Sequence, residues 1–440
     1  MNPYLDFLLK QNEVLVEKIS YQEAITYLYS LRKFGIKFGL SKISTLLEGL
    51  GNPHTGQKFV HIAGTNGKGS VAAFIASVLE QTGLKVGLYT SPHLIRFTER
   101  FKINNEEITH EAAAKIISDL RHAISPHDPP TFFEAATAMA LLYFFRENTD
   151  IAIMEAGMGG RLDATNVITP LVSVITNISM EHKFVLGSGL LDIAREKGGI
   201  IKEGIDVVTG ATQPSVVNLL QSICDSKSAR LWRIGKDIRY RTTGSGVYYY
   251  GLRRRLNGIH PGLDGGFQVR NSAVALAVLE LLEEKGVKIS SEHIRKGLKN
   301  TRWPGRMQVI SKDPTIMLDG AHNPAAVRAL TYFISTELKY RRLILVIGMM
   351  KDKDTGAMLR AIVPFSDYVI YTRPACLRAA SPKTLMSAAS CLKKPGEVVP
   401  TLTDALKRSI GMADPQDLIV ISGSLFVVGE AMTFFGRERS

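Results

Sequence analysis

Cysteine is scarce in this chain, with three residues among 440, at positions 224, 376 and 391. Their spacing matches neither a disulfide framework nor a metal-binding pattern, and unpaired thiols suit a reducing cytoplasm. No apolar run reaches membrane-spanning length. The acidic, mixed segment at 1–13 also lacks the basic and apolar regions of a secretory signal. These absences argue against a membrane protein and against a disulfide-rich secreted domain, so we expect a cytoplasmic protein.

Acidic residues are outnumbered, and the formal net charge is +13. Nucleic acid is one anionic partner that this charge would fit. However, the basic residues are scattered, and the one dense run, Arg253–Arg255, has no interleaved aromatic side chains. Nucleotide phosphates and a carboxylate-rich substrate explain the sign of the charge equally well. With 45% hydrophobic and 22% charged residues, the composition indicates a globular chain, and its length favours two domains.

The sequence from 59 to 79 predicts a strand, a glycine-rich turn and a helix. The turn reads Gly64-Thr65-Asn66-Gly67-Lys68-Gly69-Ser70. Glycines let backbone N–H groups approach phosphate oxygens, the helix N-terminus adds positive potential, and Lys68 supplies a mobile charge. The spacing departs from the common Walker A pattern, because Ile62 replaces its first glycine and Gly69 separates the lysine from the hydroxyl residue. The alternative is a tight βα turn that binds no ligand.

Three further predicted strands of this region end in polar side chains. The second strand is followed by Ser91, the third by Glu155, and the fourth leads to His182. Ligands of open α/β sheets gather at the carboxyl ends of the strands, so these side chains should face the phosphate loop. There they would hold Mg²⁺ on the phosphates. The alternative assigns Ser91 to a turn and the other two residues to structural roles.

A break in helical periodicity at 301–306 marks the predicted domain boundary. It divides the chain into residues 1–302 and residues 303–440. Beyond it, strands alternate with helices, and the first strand ends in a polar segment containing Asp319 and His322. The predicted fold class is therefore α/β: a parallel-sheet P-loop ATPase domain, followed by a smaller Rossmann-like α/β domain. We expect the two domains to meet over one shared site.

Taken together, these segments resemble the folylpolyglutamate synthase/dihydrofolate synthase family, part of the Mur ligase superfamily. The likeness spans almost the whole chain, and the family also places a glycine between the lysine and the hydroxyl residue of its phosphate loop. The matching motifs are Gly64–Ser70, Thr90–Leu94, Arg96–Arg100, Glu155 with Gly159–Asn166, His182, Arg195–Lys197, Pro304–Arg306 and Asp319–Pro324.

The resemblance implies a site for ATP and Mg²⁺, with two metal sites. Besides the phosphate loop, the residues that would bind ATP are Asn271, Arg306 and Asp319. The metal ligands would be Ser91, Glu155, His182 and Lys197, the last standing where family members carry a carbamylated lysine. Without the resemblance, Arg195-Glu196-Lys197 reads as an ordinary solvent-facing helix surface. The implied catalytic set is Lys68, Glu155, His182, Lys197 and His322, with His322 near the incoming glutamate.

The resemblance also implies a pterin site. Its segments would be Ile36, Lys37 and Phe38, then Thr131, Phe132, Phe133 and Glu134, and finally Arg161, Leu162 and Asp163. The loop around Phe38 would equally fit an apolar loop packed on the core. Asp163 followed by Ala164 resembles bacterial members that accept dihydropteroate as well as folates, so we expect both activities. Two departures stand out: Lys37 replaces an acidic residue common in relatives, and Glu181-His182-Lys183-Phe184 replaces Asp-His-Thr-Asp.

The implied activity is ATP-dependent ligation of L-glutamate to a pteroate or folate carboxylate, by a monomer without nucleic-acid or membrane partners. One alternative is a monofunctional folylpolyglutamate synthase. A cell-wall Mur ligase would need a nucleotide-sugar domain ahead of the loop, where only 63 residues precede Gly64. A non-catalytic P-loop module that binds anions would not need three metal-type side chains at strand ends.

Overall fold

The computed structural model describes residues 19–35, 39–181, 186–187 and 189–438. The predictions for Ile36, Lys37, Phe38 and His182 lie outside these ranges. Within them, no helix is both long enough and apolar enough to cross a membrane.

The first half of the chain is built on one large sheet. Its strands are β1 (Phe59–Ala63), β2 (Val86–Tyr89), β3 (Phe101–Ile103), β4 (Glu106–Glu107), β5 (Ile151–Glu155), β6 (Val172–Ile175), β7 (Val207–Thr209) and β8 (Leu231–Arg233). In the described ranges the order is β4-β3-β2-β5-β1-β6-β7-β8. The β2–β3 and β3–β4 pairs are antiparallel and the others parallel. Every residue of β1, β5 and β6 is buried, as expected where helices cover both faces of a parallel sheet.

Helices cover both faces of this sheet. They are α1 (Tyr21–Ser30), α2 (Ser41–Gly49), α3 (Lys68–Glu80), α4 (His110–Ala123), α5 (Phe132–Arg146), α6 (Leu190–Gly198), α7 (Pro214–Asp225), α8 (Gly266–Glu284) and α9 (Ser291–Asn300). Helices α3, α8 and α9 share one core with β1, whereas α1, α2, α4 and α5 pack on the opposite face. We call the elements from α1 to α9 the N-terminal lobe.

A small antiparallel sheet is attached to this lobe. It consists of β9 (Arg239–Thr243), β10 (Gly246–Tyr250) and β11 (Arg255–Ile259). Val247, Tyr249 and Leu256 pack into the core shared with α8.

The C-terminal lobe is a second α/β unit. Its strands are β12 (Gln308–Lys312), β13 (Thr315–Asp319), β14 (Leu343–Ile347), β15 (Tyr368–Tyr371), β16 (Gly396–Val398) and β17 (Leu418–Ser422). Its helices are α10 (Pro324–Glu337), α11 (Thr355–Ile362), α12 (Pro382–Ala389), α13 (Leu402–Met412) and α14 (Leu425–Glu438). Among the described residues the sheet order is β12-β13-β17-β14-β15-β16, with β12 antiparallel to β13 and the remaining pairs parallel.

The predicted α/β fold with a P-loop sheet and a smaller C-terminal α/β unit is confirmed. The N-terminal sheet is mixed, however, and not wholly parallel as predicted. Its antiparallel edge strands β3 and β4 contain three and two residues. Such short strands carry no usable alternation of polar and apolar residues, which is why the sequence did not reveal them.

Candidate active site

The carboxyl ends of the two sheets face one cleft of about 480 Å³ between the lobes. The N-terminal lobe contributes the phosphate loop after β1, Ser91 after β2 and Glu155 at the end of β5. The C-terminal lobe contributes Asp319 at the end of β13 and the segment that follows β17. The predicted convergence of strand ends over one shared site is therefore present in the structure.

Close packing limits the phosphate loop to glycine at positions 67 and 69. A Cβ atom on Gly69 would lie 2.8 Å from Cζ2 of Trp303. Gly67 has φ +81°, and a Cβ there would lie 2.7 Å from Oδ1 of Asn271. The unusual glycine after the lysine thus has a physical reason, because the indole ring of Trp303 occupies the space that a larger side chain at position 69 would need.

Lys68 and Glu155 lie side by side at the base of the cleft. The ammonium of Lys68 is 3.9 Å from Oε1 of Glu155 and donates to the carbonyl oxygens of Gly64 and Thr65 at 3.1 and 3.3 Å. The backbone N–H of Ser91 donates to the other carboxylate oxygen of Glu155 at 3.2 Å. Burial raises the pKa of Glu155, and the charge of Lys68 opposes that rise.

These side chains fit a divalent cation. The buried carboxylate of Glu155 would be favoured in its ionised form by a positive ion beside it, and Ser91 offers a hydroxyl oxygen lining the same cleft. Within the described ranges, no cluster of three His, Cys, Asp or Glu side chains forms a complete metal site. The predicted ligand His182 lies outside those ranges.

Lys197 is buried, with 3% of its surface exposed. Its ammonium donates to the carbonyl oxygen of Gly64 at 2.7 Å, so Lys68 and Lys197 share that acceptor. Burial, together with the nearby charge of Lys68, lowers the pKa of Lys197 to about 7. The solvent-facing interpretation of Arg195-Glu196-Lys197 is therefore wrong for Lys197, because α6 turns this residue toward the phosphate loop.

The other wall of the cleft carries Arg306 and Asp319, two of the residues predicted to complete the nucleotide site. The carboxylate of Asp319 accepts from the backbone N–H groups of Met307 and Ala321 at 3.0 and 2.9 Å. Burial raises its pKa, opposed by the charge of Arg306. His322 spans the lobes, with Nε2 3.3 Å from Oε1 of Glu181 and Nδ1 2.9 Å from the carbonyl oxygen of Gly320.

Comparison with known proteins decides the family. The Mur ligase middle domain matches residues 62–279, and the Mur ligase glutamate ligase domain matches residues 305–425. A dihydrofolate synthase/folylpolyglutamate synthase of Bacillus subtilis is 32% identical over 432 residues, covering 93% of this chain and 98% of the relative. The chain belongs to the folylpolyglutamate synthase/dihydrofolate synthase family. The resemblance found in the sequence is confirmed.

Solved structures of this family superpose closely. Escherichia coli FolC in complex with DHPP and ADP matches with a TM-score of 0.89 at 30% identity, covering 96% of this chain and 99% of that one. A bifunctional folylpolyglutamate synthase/dihydrofolate synthase with Mn, AMPPNP and L-glutamate bound matches with a TM-score of 0.85 at 30% identity, covering 95% and 98%. Two longer relatives, from Haloferax volcanii and Halobacterium salinarum, are 36% identical, and the chain spans about half of their length, 51% and 52%.

The segment predicted to bind the pterin at 131–134 lies at the start of α5. Thr131 and Glu134 cap the helix reciprocally. The backbone N–H of Thr131 donates to the Glu134 carboxylate at 2.7 Å, and the backbone N–H of Glu134 donates to the Thr131 hydroxyl at 3.3 Å. The ring of Phe133 lies against Gly157, where a Cβ would be 2.5 Å from its Cζ. The carboxylate of Glu134 is thus engaged by its own helix, whereas Phe133 touches a residue that lines the cleft.

The predicted pterin segment at 161–163 is held by contacts with residues around it. Arg161 pairs with Glu196 at 2.8 Å. The buried carboxylate of Asp163 accepts from Met158 N–H at 2.8 Å and from Thr165 N–H at 3.0 Å. Leu162 between them is partly exposed. Asp163 therefore organises the loop that presents this segment.

Several residues of the site were not predicted from the sequence. Gln268 is fully buried; its amide donates to Ser70 Oγ at 3.2 Å and accepts from Asn271 at 2.8 Å. A polar residue three positions before Asn271 on an apolar helix is the signal that could have revealed it. Two further cations that line the C-terminal wall, Lys353 and Arg378, stand in segments with no distinguishing motif.

Proposed function

We propose that this chain is an ATP-dependent ligase that activates a pteroate or folate carboxylate as an acyl phosphate and joins L-glutamate to it by an amide bond. In this proposal it converts dihydropteroate to dihydrofolate and extends reduced folates with further glutamates. The observation that carries it is the meeting of Lys68, Glu155 and Lys197 with Arg306 and Asp319 in one cleft. Relatives with ADP and DHPP, or with Mn, AMPPNP and L-glutamate, support the same substrates.

In the proposed site, the N–H groups of the phosphate loop and the ammonium of Lys68 bind the ATP phosphates. Asn271, Arg306 and Asp319 complete the nucleotide site from α8 and the C-terminal lobe. Two Mg²⁺ sites are proposed, with Ser91, Glu155, His182 and Lys197 as the ligands. When bound, the metal neutralises charge on the phosphate oxygens.

Lys197 fits this role better as a carbamate than as an ammonium. It already shares the Gly64 carbonyl oxygen with Lys68, so a metal ion beside it would add a further like charge. A pKa of about 7 leaves much of the amine neutral, which is the form that adds CO₂. The carbamate would turn this cation into an oxygen ligand.

The chemistry follows from the difficulty of displacing oxide from a carboxylate. The substrate carboxylate attacks the γ-phosphorus of ATP, ADP leaves, and an acyl phosphate forms. The amine of glutamate then attacks the acyl carbon, loses a proton, and inorganic phosphate leaves with the C–O electron pair. Lys68 stabilises charge that develops on the transferred phosphoryl group. The lobes hold the reactants together and exclude water, so no covalent enzyme nucleophile is required.

The substrate assignments rest on position in the fold. We place the pterin beside the segments at 36–38, 131–134 and 161–163, because Phe133 contacts the cleft-lining Gly157. We place glutamate near His322, on the wall where Lys353 and Arg378 supply positive charge for its carboxylates.

The broader setting is also proposed. The division into 1–302 and 303–440 is supported by family matches that end at 279 and begin at 305. The cytoplasm is supported by three unpaired cysteines and by the need for ATP. A monomer remains our prediction.

A phosphate-release assay with product analysis tests the function. The expected result is ADP and phosphate formation that requires glutamate together with dihydropteroate or tetrahydrofolate, and a product heavier by one glutamyl residue. Turnover with tetrahydrofolate alone would establish the monofunctional alternative. Release stimulated by nucleic acid instead of a folate, or no release with either folate substrate, would overturn the proposal.

A further inference from the structure

A buried histidine on the central strand lies behind the phosphate loop. His61 belongs to β1 and has none of its surface exposed. Its Nε2 is 2.8 Å from the hydroxyl oxygen of Thr165, which is also fully buried. The hydroxyl of Thr165 donates to Oδ1 of Asp163 at 2.6 Å. A chain of side chains therefore runs from the strand that supports the phosphate loop to the loop that carries the proposed pterin segment.

The direction of these hydrogen bonds is fixed by counting protons. Thr165 has one hydroxyl proton, which goes to Asp163, so its oxygen accepts from His61. His61 must then be neutral with its proton on Nε2. Burial holds the pKa of His61 at about 3, which keeps the ring neutral over the working range. Nδ1 has no hydrogen-bond partner among the described residues. The bond from Nε2 to Thr165 is therefore the hydrogen bond that offsets the cost of burying this polar ring.

The far end of the chain shapes the loop from 157 to 166. Asp163 uses Oδ1 for both Thr165 donors and Oδ2 for the N–H of Met158, at 2.8 Å. Met158 follows Gly157, against which the ring of Phe133 packs without spare room. If the carboxylate of Asp163 rotated away from Met158, the backbone at Gly157, against which the ring of Phe133 packs, would therefore be less restrained.

We propose that His61 is a positioning residue for the pterin substrate, acting through Thr165 and Asp163 to hold the 157–166 loop against Phe133. This inference rests on the proposed function for the identity of the substrate. His61 contacts no reacting group, and its effect should fall on the pterin substrate rather than on ATP, whose phosphate loop is held separately by Asn271 and Gln268.

The test uses two matched pairs of variants of the full chain. His61→Leu removes the donor at similar volume, and His61→Gln returns an amide donor near Nε2. Thr165→Val removes the hydroxyl, and Thr165→Ser keeps it. KM for dihydropteroate, KM for ATP and kcat are measured for each, with amide hydrogen exchange of the ligand-free protein in the 157–166 and 64–70 segments.

We expect His61→Leu and Thr165→Val to raise KM for dihydropteroate roughly tenfold, the effect of losing a hydrogen bond to a charged network. KM for ATP should stay within about twofold, and the Gln and Ser variants should recover most of the loss. Exchange should quicken in 157–166 and not in 64–70. Combining His61→Leu with Thr165→Val should add little to Thr165→Val, because both break one chain.

Several results would overturn the inference. One is unchanged exchange in 157–166 in both His61→Leu and Thr165→Val. A second is faster exchange without any change in KM for dihydropteroate. A third is an equal loss for ATP, which would place the effect in general packing of β1. If His61→Leu does not fold, His61→Phe, which keeps a planar ring without the donor, takes its place, because the Thr165 pair tests only the link from Thr165 to Asp163. A wild-type protein that ligates no folate would instead refute the proposed function, and the exchange data would still decide whether His61 braces the loop.

Discussion

The side-chain amides of Asn66 and Asn323 bind each other across the two lobes. Nδ2 of Asn323 donates to Oδ1 of Asn66 at 2.8 Å, and Nδ2 of Asn66 donates back to Oδ1 of Asn323 at 3.3 Å. Asn66 lies in the phosphate loop, and Asn323 caps α10 by accepting from the N–H of Ala326 at 2.9 Å. The phosphate loop is thus joined directly to the first helix of the C-terminal lobe, so the position of that lobe and the shape of the loop are coupled.

Two substitutions of Asn323 separate its pairing with Asn66 from its capping of α10. Asn323→Ser keeps a capping oxygen but is too short to reach Asn66, whereas Asn323→Ala loses both contacts. We expect kcat to fall roughly tenfold in each variant because the loop loses its partner. Only Asn323→Ala should lose stability, by about 1 kcal/mol from the missing cap. Steady-state kinetics and urea unfolding measure the two effects. Wild-type kcat in Asn323→Ser would show that the amide pair has no catalytic consequence.

Lys68 is the cation that we propose binds the ATP phosphates. We expect Lys68→Ala to lower kcat by roughly 100-fold or more, because a preorganised charge at the transferred group would be missing. The fold should persist, since among the described residues the polar contacts of the ammonium are with Glu155 and two loop carbonyl oxygens. Turnover and thermal unfolding are compared with wild type. Near-normal ATP-dependent ligation by this variant would refute its role.

The polar side chains at the strand ends were predictable because each comes at the end of a buried apolar run. Parallel strands then bring these ends to one edge of the sheet. That rule located Ser91, Glu155 and Asp319, all of which line the cleft. Burial of Lys197 was not predictable from local sequence. Its neighbours Arg195 and Glu196 are polar, and only the approach of α6 to Gly64 turns this one residue inward.

Close contacts between distant segments were equally hidden. Gln268 reaches Ser70 across 198 positions of chain, and no spacing rule links the two. The glycine after Lys68 departs from the Walker A spacing, and the contact with Trp303 that accounts for it joins residues far apart in the sequence. Such contacts depend on side-chain packing between elements, which hydrophobic periodicity does not encode.

The packing of Gly69 against Trp303 leads to a third prediction. Gly69→Ala would place a methyl group 2.8 to 3.0 Å from three atoms of the indole. Overpacking of this kind costs about 1–3 kcal/mol, and here the movable partner is the phosphate loop. We expect KM for ATP to rise roughly tenfold while the pterin KM changes little. Adding Trp303→Leu should relieve the clash and restore part of the ATP affinity. No rise in KM for ATP in Gly69→Ala would show that the indole yields freely.

Lys197 gives a prediction about pH, since burial lowers its pKa from an ordinary 10.5 to about 7. Between these two values the unfolded chain holds a proton on this amine and the folded chain does not. The contribution of Lys197 to stability therefore rises with pH across that window. The neutral amine is also the form that adds CO₂. Ligase activity that depends on the carbamate should accordingly fall as the pH drops through about 7, as the amine becomes protonated.

Bicarbonate dependence checks the carbamate directly. Wild-type enzyme in CO₂-depleted buffer at pH 7 should lose activity and regain it when bicarbonate is added, and the intact protein should gain the mass of one CO₂. Lys197→Ala should be nearly inactive and indifferent to bicarbonate, because it has no amine to modify. Lys197→Glu, which keeps a carboxylate near the same place, should recover part of the activity without bicarbonate. Full activity in Lys197→Ala would rule out a metal-binding carbamate, since the buried amine would then serve only to hold the Gly64 carbonyl oxygen.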